Sequence, residues 1–172
     1  MKPEYSISGE DVDLRTITEE DIEALRLWRN QDSIRKSFVY SDVILPEQQL
    51  QWYQRYVNIP DDFMFIAHYK GSPVGASALY NIDFNKHTAE FGRLMLGDTK
   101  LRGLGIGKRI TALTTQLGFQ QLGLDSIYLE VFQSNSYAKS IYEALGYAVT
   151  GSDSRNGIDV WLMCLKREAW SK

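Results

Sequence analysis

The 172 residues are 44% hydrophobic and 24% charged, enough apolar mass for one domain with a real core and too short a chain for a second full domain. A net charge of -3 argues against a nucleic-acid or anionic-membrane partner, because such partners are ordinarily met by a basic surface. With one cysteine (Cys164) and two histidines, neither a disulfide framework nor a compact thiolate or imidazole zinc site is expected, and a reduced compartment with no metal follows.

The N-terminal stretch MKPEYSISGEDVD is polar and acidic, with no apolar core of signal-peptide length, and no run elsewhere approaches a membrane span. A cytoplasmic protein is the expectation. Asp11 to Ile17 reads as a first strand. Thr18 to Asn30 reads as a helix, opened by a capping-box-like Thr18/Asp21 pair, with Ile22, Leu25 and Trp28 on one face. A second helix is predicted from Pro46, whose fixed φ suits a first turn, and carries Leu50, Trp52, Tyr53 and Tyr56. DFMFIAHYK and VGASALYNI form a hairpin about the turn KGSP, and Thr88 to Leu96 gives another strand.

Ile106, Ile110, Leu113 and Leu117 recur at helical spacing, which predicts a helix from Gly105 to Leu122 capped by Gly123. Ser126 to Phe132 is rich in β-branched and aromatic residues and reads as a central strand. SYAKSIYEALGY gives a short helix ending at Gly146, and YAVTG, SRNG and IDVWLMCLK give a closing hairpin. The result is a mixed α/β sheet, antiparallel early, in which the unit from Glu90 to Phe132 supplies a parallel pair through a right-handed crossover.

The join between the strand ending at Leu96 and the helix near Gly105 is RGLGIGKR. Unpaired amides and the positive end of a helix dipole meet there, and such a place attracts an anion. Glycine at 103, 105 and 107 removes β-carbons, so a diphosphate can approach the main chain, and Arg102 and Lys108 can add charge-assisted contacts. Neither GxxxxGK[ST] nor GxGxxG is present. Glycines that merely close a tight turn are the alternative.

RGLGIG nevertheless matches the R/Q-x-x-G-x-G/A loop of the GNAT acyltransferases, and EVFQSNSYAKSIYEALGY resembles that superfamily's second half-site. The resemblance implies the GNAT fold over residues 1–172: a mixed, mostly antiparallel central sheet splayed between its fourth and fifth strands, flanked by about four helices. It implies acetyl-CoA as co-substrate, its pyrophosphate cradled by Arg102, Gly103, Leu104, Gly105, Ile106, Gly107 and Lys108. The strand at Leu94, Met95 and Leu96 would pair with the pantetheine arm, Asn135 would contact that arm, and Tyr142 would lie beside the thioester sulfur.

Acyl transfer to an amine needs a neutral nucleophile, an N–H donor for the oxyanion and a proton for the departing thiolate. The backbone at Leu94 to Leu96 suits the second role and the Tyr142 phenol the third, although Tyr142 also fits a plain core position. Glu130 is the leading candidate base, a carboxylate placed mid-strand, at an interval before Tyr142 like that in related protein-N-terminal acetyltransferases. Its alternative is a solvent-facing or substrate-orienting role. Glu90 is the rival. His68, His87 and Cys164 read as ordinary structural residues.

Acceptor choice is expected outside the cofactor half, where Arg29, Arg35 and Trp52 offer guanidinium groups and an aromatic face suited to a nucleotide-linked ligand. Solvated arginines on an amphipathic helix pair are the alternative. WRN, IRKSF, LQWY and NIDFNKHTAEFG resemble amino-sugar nucleotide N-acetyltransferases of the pseudaminic acid branch, which implies a 4-amino sugar as the small-molecule amine. Ribosomal-protein and spermidine N-acetyltransferases share the layout, and a non-catalytic acyl-CoA-binding module is a further alternative. By analogy with relatives, a homodimer through the exposed edge of the closing hairpin is also expected.

Overall fold

The structure, a computed structural model, describes residues 2–171; Met1 and Lys172, the ends of the predicted domain, lie outside the described residues. The strands are β1 (Ser6–Ser8), β2 (Val12–Thr16), β3 (Phe63–Tyr69), β4 (Ser72–Asp83), β5 (Thr88–Leu96), β6 (Ser126–Phe132), β7 (Ala148–Arg155) and β8 (Ile158–Lys166). The α-helices are α1 (Ile22–Arg29), α2 (Asp32–Arg35), α3 (Pro46–Tyr56), α4 (Ile106–Gln120) and α5 (Ser136–Ala144). One sheet runs in the order β1-β2-β3-β4-β5-β6-β8-β7. Every neighbouring pair is antiparallel except β5 and β6, the predicted parallel pair. No helix among the described residues is long and apolar enough to cross a membrane.

Two elements escape the sequence patterns. β1 is three residues long with only its middle residue half-buried, so it shows no alternation, and α2 is a single turn. The Thr18/Asp21 pair does open the first helix, but through a 3₁₀ turn at Glu19–Asp21, in which the Asp21 carboxylate accepts from the Thr18 amide at 2.8 Å. The hairpin turn is centred on Lys70 and Gly71, both in left-handed conformation, so Ser72 and Pro73 already belong to β4. The α4 helix stops at Gln120, two residues short of the predicted end, with Gly123 at φ +67° turning the chain away.

Alternation along β3 sorts the core into two layers. Phe63, Phe65 and Ala67 face one side with the α4 residues Ile106, Ile110 and Leu117, and Met64 and Ile66 face the other with Leu25 and Tyr56 of α1 and α3. Each fully buried large aliphatic or aromatic side chain contributes about 1.5–3 kcal/mol. Buried hydroxyls on α4 are satisfied: Thr114 lies 2.7 Å from Ser77 on β4, and Thr115 lies 2.9 Å from the Tyr147 hydroxyl.

Two irregularities shape the site. β5 and β6 pair only over Thr88–Glu90 with Ser126–Tyr128, and then part. This is the predicted splay, one strand later in the numbering because of β1. On its other edge β5 carries a bulge: β4 advances two residues from Ala76 to Ala78 while β5 advances three from Met95 back to Gly92. Its parity breaks there. Ala89 and Phe91 pack on the α4 layer, and so do Leu94 and Leu96, whereas Met95 joins the opposite one.

The β4–β5 contact is tight beside this bulge. A Cβ at Gly75 would stand 2.2 Å from the Met95 carbonyl oxygen and 3.3 Å from Ile110 Cδ1. Backbone cannot yield as a flexible side chain does, so Gly75→Ala should destabilise the protein by about 3 kcal/mol, at the upper end of overpacking costs. Urea unfolding measures it; a midpoint equal to that of the parent would refute the close approach.

Candidate active site

The sheet opening becomes a chain of three cavities. The first, about 500 Å³, lies between the end of β5, the loop before α4 and the start of α5. It takes in nine of the eleven predicted cofactor residues: Leu94, Met95 and Leu96 from the strand, Arg102, Gly103, Gly105, Ile106 and Gly107 from the loop, and Asn135. Leu104 and Lys108 are not among its lining residues; both are exposed on the outside of the loop and the first turn.

The glycines divide by role. Gly103 and Gly105 have φ of +82° and +76°, which L side chains rarely adopt, so the turn itself requires them. Gly107 has no positive φ and a Cβ there would meet nothing within 4 Å. In a helical position glycine costs about 1 kcal/mol relative to alanine, so folding gives no reason for Gly107. Ile106, Gly107 and Lys108 form the first turn of α4, whose amides lack intrahelical acceptors. No acidic residue stands in that turn, and Lys108 and Arg109 are cations at the positive end of the dipole, an arrangement that an arriving anion relieves. Arg102 is held across the cleft by a 2.9 Å hydrogen bond from Nη2 to the Ser33 hydroxyl of α2. Asn135 caps α5, its Oδ1 accepting from the Ala138 amide at 3.1 Å, so only its amide nitrogen remains to meet a ligand.

The second cavity, about 270 Å³, shares Leu94, Asn135 and Ala138 with the first and holds Tyr142, Glu90 and Glu130. Tyr142 is both core and site. It is 7% exposed and packs edge-on against Phe91 and Tyr147, yet its hydroxyl has no hydrogen-bond partner among the described residues. Burial pushes its phenol up to about 12.

The two carboxylates differ. Glu130 is taken up by Arg155 of β7: Nε lies 3.1 Å from each carboxylate oxygen and Nη2 adds a closer contact to Oε1. Asp153 also pairs with Arg155, at 2.7 Å. Glu130 thus has a guanidinium partner, reached across β8 from the closing hairpin. Glu90 meets only neutral donors, the Tyr80 hydroxyl at 3.0 Å and the Asn81 side-chain amide at 3.2 Å. Burial first, and the Glu90 carboxylate second, push the Tyr80 phenol well up.

The third cavity, about 520 Å³, joins the second at Phe38 and Arg93 and is lined by Arg29 and Trp52, as predicted. Arg29 lies flat on the Phe38 ring, 3.9 Å from its centroid, and donates Nη2 to the Tyr40 carbonyl. Its Nη1 is buried with no partner. Burial, and then the neighbouring charge of Arg35, hold the Arg29 guanidinium below its usual range. Arg35 itself lies outside the three linings; Nη2 pairs with Asp32 at 2.7 Å, and Nε is buried without an acceptor. Arg93, Phe38 and Arg155 were not anticipated. Only Arg93 left a trace in the sequence, the three-residue step from Phe91 to Leu94 in an otherwise alternating strand.

The Tyr142 environment carries a pH signature. The folded state binds the phenolic proton more tightly than the unfolded chain, whose ordinary value is 10. The resulting stabilisation is fully present below pH 10 and is lost as pH rises through about 12. Tyr142→Phe should therefore raise the alkaline unfolding midpoint followed by circular dichroism, and an unchanged midpoint would contradict the buried neutral phenol.

A family model described as "Acetyltransferase (GNAT) domain" matches residues 11–148. Among curated proteins, none matches the chain. Among solved structures, the spermidine N-acetyltransferase from Vibrio cholerae in complex with CoA and spermine superposes with a TM-score of 0.85 at 20% identity, over 94% of this chain and 98% of that one. The aminoglycoside acetyltransferase AAC(6')-Ib in complex with coenzyme A gives 0.80 at 21% identity, over 92% and 96%. An uncharacterized protein from Bacillus halodurans gives 0.80 at 16% identity, over 92% and 85%. The likeness in structure speaks for the fold, and the family match over most of the length for the lineage: this chain belongs to the GNAT acetyltransferases.

Proposed function

We propose that the protein transfers an acetyl group from acetyl-CoA to the primary amine of an acceptor that also bears negative charge. The leading acceptor is the 4-amino group of a nucleotide-linked amino sugar, acetylated by direct transfer in a ternary complex. The observation that carries the acceptor class is the buried, unpartnered Nη1 of Arg29, in a cavity that also contains Arg93. Buried cationic groups without acceptors are costly, and a phosphate or carboxylate on the ligand supplies what is missing. Trp52 in the same lining offers a face for a base or sugar ring.

The residues of the first cavity fit a coenzyme A diphosphate: an open loop, helix amides without acceptors and the Arg102 guanidinium. When bound, acetyl-CoA supplies an acyl thioester reactive toward amines. Leu94, Met95 and Leu96 offer strand backbone along the cleft, and an amide there suits the oxyanion. Tyr142 Oη holds a proton throughout the neutral range and can release it toward sulfur. Glu90, bonded to neutral donors, takes the proton from the acceptor nitrogen, while the Glu130 carboxylate is already engaged by Arg155.

The spermidine and aminoglycoside enzymes with the same fold form complexes with spermine and with ribostamycin, respectively. A polyamine acceptor would bring positive charge against Arg29, which disfavours that alternative here.

A screen of amines with acetyl-CoA, following thiol release, tests the proposal. Turnover confined to UDP-amino sugars is expected; turnover of spermidine or a ribosomal peptide would reassign the acceptor. Tyr142→Phe should lower kcat about 10²-fold while calorimetric affinity for coenzyme A is retained. A parent protein that binds coenzyme A but turns over no amine would point instead to a binding module. Arg29→Gln should raise the acceptor KM about tenfold and leave the acetyl-CoA KM alone, as expected for loss of a charge-assisted contact to the acceptor.

A further inference from the structure

Arg93 stands at the break in β5. It takes up the inserted residue of the bulge with φ of +54°, a left-handed conformation that a long side chain rarely adopts. Such a backbone persists only where its surroundings hold it. Here the surroundings are specific. Both terminal nitrogens of Arg93 donate to Asp62, at 2.8 and 3.0 Å, and Asp62 is 8% exposed. The guanidinium carbon lies 4.3 Å from the centroid of the Tyr80 ring. Tyr80 in turn donates to Glu90 at 3.0 Å. The neighbouring Gly92 has no room for a Cβ, which would stand 2.6 Å from the Tyr80 hydroxyl.

These contacts form one line: Asp62, Arg93, Tyr80, Glu90. It starts in a part-buried ion pair and ends on a carboxylate of the second cavity. Arg93 lines both the second and the third cavities, so it also stands between the amine site and the reacting centre. The residue after it, Leu94, is shared by the first and second cavities. A strained bulge clamped by a bidentate pair is a means of fixing the Leu94 backbone and the Glu90 carboxylate relative to each other.

We infer that Arg93 is a positioning residue for acyl transfer: through Asp62 and Tyr80 it holds the β5 bulge in the left-handed conformation that sets the Leu94 backbone and the Glu90 side chain against the cleft. This rests on the acetyltransferase proposal. The conformational part is separable from it, because the clamp exists without any ligand.

Three variants test the inference, all assayed at saturating acceptor. Arg93→Ala removes the clamp and leaves a residue that resists the left-handed backbone; its kcat should fall about 10²-fold with the acetyl-CoA KM within about twofold of the parent, the size of loss seen when one oxyanion donor is misplaced. Arg93→Gly removes the same side chain but adopts positive φ freely, so it should recover at least about tenfold of that kcat. A purely structural or electrostatic role for the guanidinium predicts equal losses in both, and equal losses would overturn the inference. Should Arg93→Ala fail to fold, Asp62→Asn carries the test: a drop in kcat with the acetyl-CoA KM retained supports the clamp, and parental kcat overturns it.

Amide hydrogen exchange in the ligand-free protein gives the readout that needs no substrate. Exchange across Gly92 to Leu96 should be faster in Asp62→Asn than in the parent, and equal exchange refutes the clamp whether or not an acceptor is known. Failure of the acetyltransferase proposal is recognised separately, by a parent protein that takes up no coenzyme A in calorimetry.

Discussion

β5 and β6 lie side by side from Thr88 to Glu90 against Ser126 to Tyr128, and beyond that point each is held only from its outer edge: β5 by β4, and β6 by β8 along its whole length. The two halves of the sheet are thus anchored independently and diverge like the arms of a V. Strand backbone facing the gap has no neighbouring strand, and a buried peptide group left without a partner costs about 1–3 kcal/mol. A ligand that lays hydrogen-bonding groups along β5 answers that need. Two of the cavities span the gap, and β5 residues line all three.

The same divergence explains why the elements flanking the gap carry the chemistry. The chain leaves β5 at Leu96, turns through the glycine loop and enters α4 pointing its amino terminus into the cleft; it leaves β6 at Phe132 and enters α5, which brings Asn135 and Tyr142 to the opposite wall. The first turn of α4 and the α5 helix that carries Tyr142 thus follow two strand-to-helix connections flanking the gap. α2 closes the arrangement. Ser33 bonds Arg102 of the glycine loop, Ile34 and Ser37 line the cofactor cavity, and Phe38 beyond them lines the other two. The helical turn and the three residues after it therefore touch the walls of all three cavities.

Much of this was legible because it obeys local rules. The α4 stripe, the hairpin about KGSP and the glycine spacing each follow from a period or a backbone requirement that neighbouring residues declare. What was not legible depends on contacts distant in sequence. Glu130 and Arg155 are brought together across β8, and nothing in YLEVF or SRNG announces the meeting. Arg93 and Asp62 meet through β4, 31 positions apart in sequence. β1 and α2 are too short to show a period. Lys108 was placed in the cradle by its proximity to the glycines, yet helical geometry turns it outward, because successive residues of a helix point about 100° apart. The Phe91, Leu94, Leu96 spacing did contain the bulge; read as simple strand it conceals one inserted residue.

Charge in this molecule is divided by place rather than by total. The chain carries -3 overall, yet the acceptor cavity has Arg29 and Arg93 in its lining against Asp42 alone. Arg93 is neutralised by Asp62, whereas Arg29 faces its surroundings with carbonyl and ring contacts only. On the proposed assignment, a free ammonium entering here would lose solvation next to a cation, which favours its neutral form. The negative groups are gathered instead in the middle cavity, where Glu130 is pinned by Arg155 and Glu90 is left to neutral donors. On the proposed assignment, an amine passing from Arg29 toward Tyr142 would go from a site that favours its neutral form to one where Glu90 can receive its proton. That gradient is the order in which aminolysis needs its charges arranged.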